Sequence, residues 1–294
     1  MTHAAPPQIA VQAPVRRKRR GLIARLFTNP LSAVGAVTVV AILAVAVFGP
    51  LIVGFDPILM QPAIRLSPPD ATHWFGTDDS GRDILSRIVY GTRYSLLSAV
   101  GILVMASVLG TAVGLVAALF GGWVDEVLMR LTDMFLAFPA LVLAMGMAAA
   151  LGPSLFNAMI AIVLVWWPWY ARLVRGQALQ LRQEAFVESA IIAGASWWRI
   201  AVQHILRNCM TPLIVQISLD IGYAILTLAG LSFIGLGAQP PTPEWGSMVS
   251  VGRDYFLDQW WMVTFPGMAI FFSVMAFNLF GDGLQEVLSP RSAQ

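Results

Sequence analysis

Six runs of about 20 mostly apolar residues, near 31–53, 95–121, 134–151, 156–174, 209–234 and 260–280, constrain this chain more than any other feature. A helix needs roughly that length to cross ~30 Å of hydrocarbon, and only helices and closed barrels satisfy their own backbone there. The runs are continuous rather than short and alternating, which favours helices over a barrel. The expected fold is therefore an all-α integral membrane bundle with six transmembrane helices. Composition agrees: 57% of the 294 residues are hydrophobic and 12% are charged, against about 25% charged in a soluble domain that must cover its surface. The third run is short and ends in AAALGP, so its boundary with the fourth is the least defined.

Residues 1–15 show no periodicity and precede a basic cluster, Arg16, Arg17, Lys18, Arg19, Arg20 and Arg25. The run that follows is too long for a signal peptide and lacks a small-residue cleavage site before a polar segment. The cluster reads as a cytoplasmic anchor rather than a nucleic-acid site, because it abuts a hydrophobic helix. Six crossings that start inside place thirteen of the eighteen Lys and Arg residues in the cytoplasm, together with both termini. That topology satisfies the positive-inside rule. Trp74, Trp123, Trp245, Trp260 and Trp261 then fall near the membrane interfaces.

Several chemistries are excluded. Lys18 is the only lysine, so a GxxxxGK[ST] phosphate loop is impossible and Schiff-base chemistry has no suitable residue. His3, His73 and His204 are scattered, and no HExxH or CxxC pattern occurs. Cys209 is the one cysteine and reads as a small packing residue. An intramembrane enzyme would need a nucleophile with its base or a metal cluster, and neither is visible.

Between the first two crossings, GTDDSGRDILSRIVYGTR at 76–93 places Ile84, Leu85, Ile88 and Val89 on one helical face. It predicts a short amphipathic surface helix, with Ser80 and Asp83 as an N-cap pair and Gly91 as its stop. Asp78, Asp79, Arg82 and Asp83 are candidates for contact with a docking protein or for an outer gate. The turn QPPTPEWG at 239–246 is a candidate lip over a pathway. Between the fourth and fifth crossings, QEAFVESAIIAGASWWRIAVQHILRN at 183–208 reads as helix, glycine turn, helix, with Gly194 as a left-handed cap and Ser196 as the next N-cap. Such a knob suits the groove of a soluble partner, or else rests on lipid headgroups.

Within the spans, Asp220 is a carboxylate at a depth that costs ~2.5–3.5 kcal/mol on insertion scales unless it faces a cavity or the bundle interior. It is a candidate for meeting the ammonium of a peptide or another cation, or else it is satisfied by a hydroxyl or Arg of a partner. Asn278 and Asn157 are weaker candidates, because amides often simply bond between helices. Gly110 and Gly114 form a GxxxG packing face. The cluster Trp166, Trp167, Pro168, Trp169 predicts a kink at Pro168, with Trp169 as a pathway candidate.

The spacing Glu188, Ser189, Ala190, three residues, then Gly194 resembles the EAA signature of membrane subunits of bacterial ABC importers. Leu206 matches its continuation, whereas Ser189, His204 and Arg207 depart from the usual residues. The stretches 76–87, 120–133, 231–248 and 260–284 resemble the peptide and nickel permeases of that family. The similarity runs from about residue 26 to the end and is strongest to the second permease of dipeptide and oligopeptide importers. The resemblance implies a type I ABC importer transmembrane domain over 93–282 with an additional N-terminal helix. Around it lie a cytoplasmic tail at 1–30, the first helix at 31–53, an extracytoplasmic segment at 54–92 and a tail at 283–294. It implies a homologous second permease, two cytoplasmic ATP-binding subunits that hold ATP and Mg, an extracytoplasmic solute-binding protein, and no cofactor in this chain. Glu188, Ser189, Ala190 and Gly194 would dock into an ATPase, and transport would proceed by alternating access in a bacterial inner membrane. Asp220, Asn278 and Trp169 remain the pathway candidates. Dipeptides, oligopeptides, glutathione and nickel complexes all fit such permeases. A secondary transporter would show repeats and several midplane charges, of which only Asp220 is present.

Overall fold

The computed structural model describes residue 27 and residues 29–288. The basic cluster, His3 and Arg291 lie outside these. The helices are α1 (Pro30–Ile52), α2 (Ile84–Phe120), α3 (Gly122–Leu136), α4 (Ala140–Leu151), α5 (Leu155–Leu181), α6 (Ala185–Ile192), α7 (Trp197–Arg199), α8 (Arg207–Phe233), α9 (Trp245–Arg253) and α10 (Trp261–Leu288). A π-helical stretch, Ile200–Leu206, joins α7 to α8. No strand occurs among the described residues.

Five of these helical segments are long and apolar enough to cross a membrane: α1, α2, α5, the continuous helix from Trp197 to Phe233, and α10. The sixth candidate is a bent pair, α3 and α4, which meet at 90°. Here the structure corrects the third run. Residues 134–136 belong to α3, and the chain breaks at Ala137–Pro139. Pro139 supplies no N–H and biases Phe138 away from helical geometry, so the helix must stop and restart. With 12 residues, α4 alone is about 18 Å long. Pro168, by contrast, is accommodated inside an uninterrupted α5.

The expected surface helix at 84–91 is also corrected. It is the first part of the 37-residue α2 rather than a separate element. Its cap is Asp83, whose carboxylate accepts the Ser86 N–H at 2.7 Å, and not Ser80. Gly91 is no stop. A side chain there would strike the Pro243 carbonyl and the Trp245 ring, so this glycine admits a distant turn.

Small residues set the helix packing, as they must where lipid offers no hydrophobic drive between helices. A Cβ on Gly110 would meet the Trp167 carbonyl at 2.5 Å, and one on Gly114 would overlap Ala171, so the GxxxG face seats α2 against α5. Ala99, Ala106, Ala158, Ala161 and Ala171 are fully buried in the same region. Gly35 abuts Leu279 and Phe280, bringing α1 onto α10, and Gly281 abuts Leu219, bringing α10 onto α8.

The N-terminal end of α2 is closed by a buried polar network. Asp78 accepts Arg82 Nε at 2.7 Å and stands 3.5 Å from Arg87 Nε, and Arg87 Nη1 donates to the carbonyls of Pro57 and Pro241. His73 Nδ1 lies 2.9 Å from Asp83. All of these side chains are buried, so this cluster ties loop to helix. Trp245 and Trp261, expected at the interface, are buried too. Their indole N–H groups donate to the carbonyls of Ile88 and Thr77. Trp74, Trp123 and Trp260 are exposed.

Candidate functional site

The 183–208 segment folds as its sequence suggests. Helix α6 ends on Gly194, whose φ of +76° is the left-handed conformation that favours glycine. The Ala195 N–H reaches the Ala190 carbonyl at 3.0 Å and the Gly194 N–H reaches that of Ile191 at 2.9 Å, which together satisfy the orphan carbonyls of the helix end. Ser196 then caps α7 by accepting the Arg199 N–H.

Two anchors hold this knob at the C-terminal end of α2. Val187, Ile200, Ile205 and Cys209 pack with Ala118 and Ala178 in a small separate core. Arg182 donates to the Ala118 carbonyl and lies over the Trp197 ring. Outward, the knob presents Glu188, Ser189 and Gly194 as exposed groups, with Ala190 half-buried beneath them. Ile192 and Trp198 are 82% and 78% exposed. Apart from its two chain neighbours, nothing among the described residues lies within 4 Å of a Cβ built on Gly194, so the demand on this glycine inside the described structure is its backbone angle.

Two connections join the knob to the long helices. Residues 182–184 link it to α5 in a single turn, and helical hydrogen bonding runs unbroken from Trp197 to the end of α8. A π-helical stretch is a rare form, common at functional sites, and here it sits at the joint. Beside it, Arg175 on α5 grips Asp125 on α3 through both oxygens, at 2.5 and 2.6 Å, and Arg172 pairs with Asp133. The knob is thus joined to α8 by continuous helix and, through α5, to α3.

Asp220 lies halfway along α8. Tyr170 Oη donates to one carboxylate oxygen at 2.6 Å and Gln216 Nε2 to the other at 2.9 Å. Tyr223, on the same face of α8, stacks on Trp166. The other pathway candidates are not brought to this place. Trp169 is exposed. Asn278 Oδ1 sits against Gly222, and positions 220 and 222 point about 200° apart around a helix. Asn157 donates to the carbonyls of Leu151 and Gly152 and so closes the end of α4, which is a structural duty. The sequence reading missed Tyr170, Gln216 and Tyr223. Gln216 and Tyr223 were legible in principle, standing four before and three after Asp220 on a helix.

The 239–246 turn packs inward. Glu244 is buried, and its carboxylate takes the N–H groups of Gly246 and Ser247. Burial pushes its carboxyl above the ordinary range, against the pull of those two amides.

Comparison with known proteins matches residues 110–294 to the family described as binding-protein-dependent transport system inner membrane component. Residues 20–69 match the N-terminal TM domain of oligopeptide transport permease C. The chain is 49% identical over 271 residues to the probable D,D-dipeptide transport system permease protein of Escherichia coli, covering 92% of this chain and 91% of the relative. It is 45% identical over 267 residues to a dipeptide transport system permease protein of Alkalihalophilus pseudofirmus, covering 91% and 88%. Against the nickel transport system permease protein of Escherichia coli it is 45% identical over 236 residues, covering 80% and 85%.

Proposed function

The chain belongs to the binding-protein-dependent transport system inner membrane component family, and from that premise we propose that it is the dipeptide-carrying permease subunit of an ATP-driven importer. As an inner-membrane permease of the peptide, nickel and glutathione type it is a transport subunit and not an enzyme. The finer reading adds a homologous second permease that shares the pathway, two cytoplasmic ATPases that bind ATP and Mg, and an extracytoplasmic binding protein that delivers the solute. Both termini face the cytoplasm in this reading.

The observation that carries it is the exposed Gly194 knob, continuous with two membrane helices. Glu188, Ser189, Ala190 and Gly194 dock in an ATPase groove. When the ATPases close on ATP, the knob moves, α5 and α8 move with it, and the pathway turns outward. The switch works because ATP and loaded binding protein both favour the same arrangement, which is a difference in affinity between two states. Identity to two dipeptide permeases over some nine-tenths of the chain supports the solute.

Uptake of a labelled dipeptide and of labelled nickel is compared in cells carrying the wild-type chain, Gly194→Trp, or no chain, with and without ATP depletion. Dipeptide uptake lost in the last two strains and on ATP depletion is the expected result. Nickel uptake alone keeps the class and changes the solute. Dipeptide uptake that survives both Gly194→Trp and ATP depletion identifies a secondary transporter and overturns the reading.

A further inference from the structure

Asp220 is thirteen residues from Arg207 and thirteen from Phe233, so it stands roughly 20 Å from either end of α8. It is half-buried. Gln216 Nε2 can only donate, and with the Tyr170 hydroxyl it places one donor on each carboxylate oxygen, the arrangement that suits an ionised group. Both donors are neutral. Among the described residues no Arg, Lys or His forms an ion pair with Asp220. The carboxylate is therefore oriented and hydrogen-bonded, yet no cation among the described residues balances its charge.

A charged group at mid-depth faces a cavity or the bundle interior rather than lipid. That fixes the direction of the stripe Gln216, Asp220, Tyr223. One turn along it, the Tyr223 ring lies on Trp166 with centroids 5.1 Å apart and planes within 6°. Trp166 is buried, whereas Tyr223 keeps 54% of its surface exposed. An oriented carboxylate beside an accessible aromatic ring offers a primary ammonium a counter-charge and a π face at once.

We propose that Asp220 and Tyr223 form a mid-membrane site for the cationic end of the solute, the α-ammonium group of a peptide, with Tyr170 and Gln216 positioning the carboxylate. This deepens the dipeptide reading and rests on it. The site is suited to transit: one ionic contact and one aromatic face hold the ammonium without enclosing it, so that the solute leaves when the pathway turns.

The test uses the complete importer in proteoliposomes, with labelled alanyl-alanine as the probe and saturating binding protein. Four versions are compared: wild type, Asp220→Asn, Asp220→Glu and Tyr170→Phe. Recovery of the second permease with this chain is measured on each preparation. Asp220→Asn keeps an acceptor for Tyr170 but removes the charge, and is expected to lower uptake at least tenfold at unchanged recovery. Asp220→Glu is expected to restore most of it, and Tyr170→Phe to lose less than threefold. The opposite order, Tyr170→Phe severe and Asp220→Asn mild, identifies a plain clamp between α5 and α8 and overturns the proposal. Loss of the second permease from Asp220→Asn identifies a partner's cation as the counter-charge and overturns it as well. Absence of alanyl-alanine uptake by the wild type overturns the dipeptide reading and the site with it, an outcome distinct from the other two.

Discussion

Gly194 and Glu244 illustrate two ways in which one residue sets local structure. At Gly194 the demand is conformational, since a φ of +76° costs a residue with a Cβ about 1 kcal/mol while the space around it is open. Gly194→Ala is accordingly expected to reduce ATP-driven uptake only severalfold, whereas Gly194→Trp is expected to abolish it by projecting bulk toward the proposed ATPase. Equal losses for the two variants, at equal amounts of chain in the membrane, would show that the turn alone matters. At Glu244 the demand is for hydrogen bonds. Glu244→Ala leaves the Gly246 and Ser247 amides without their acceptor in a buried site, so thermal unfolding in detergent should show a loss of about 2 kcal/mol. An unshifted Tm contradicts that assignment. The Gly194 turn was legible in the sequence because helix, glycine and serine cap are all local. Glu244 was not singled out, because its burial depends on Ser95 and on α2, some 150 positions earlier. Likewise Asp220 stood out as a lone midspan charge, but Tyr170, fifty positions before it, carries no sequence mark of that pairing.

Among the helices, α2 against α5 is the contact most dependent on glycine. Gly110→Leu drives a side chain into the backbone of Trp167 and Ala171 and into the Tyr170 Cβ. It is expected to cost about 1–3 kcal/mol, as overpacking does, and to lower the yield of folded chain by size exclusion in detergent. The joint between α3 and α5 makes a different prediction. Reversing either Asp125 or Arg175 breaks the two-oxygen grip, and reversing both restores it with opposite polarity. Uptake should fall in each single variant and recover in the double one, with a coupling of ~1 kcal/mol from the double-mutant cycle. No recovery would mean that the pair does not couple the two helices. At this scale hydropathy found five spans, because a 20-residue apolar run has few other fates. It drew the third as one run across Ala137–Pro139, where Pro139 makes the sixth candidate a bent pair. It also split α2, because a glycine inside a helix and a glycine that ends one look alike until the packing partner is known.

The whole molecule is a bundle with two unlike ends. One end of α2 is sealed by Asp78, Arg82, Arg87 and the inward-packed 239–246 turn, all of it anchored to the helices. The other carries the knob, held by a small core of its own and running into α8. That asymmetry is consistent with the proposed role, in which the subunit is driven from the side of the knob. The most direct test is ATP-dependent uptake of labelled alanyl-alanine by the complete importer in proteoliposomes, with the wild-type chain or Gly194→Trp present in equal amount. The account predicts uptake only when ATP is supplied on the side of the knob, and none from Gly194→Trp. Uptake without ATP, or undiminished uptake by Gly194→Trp, would contradict it.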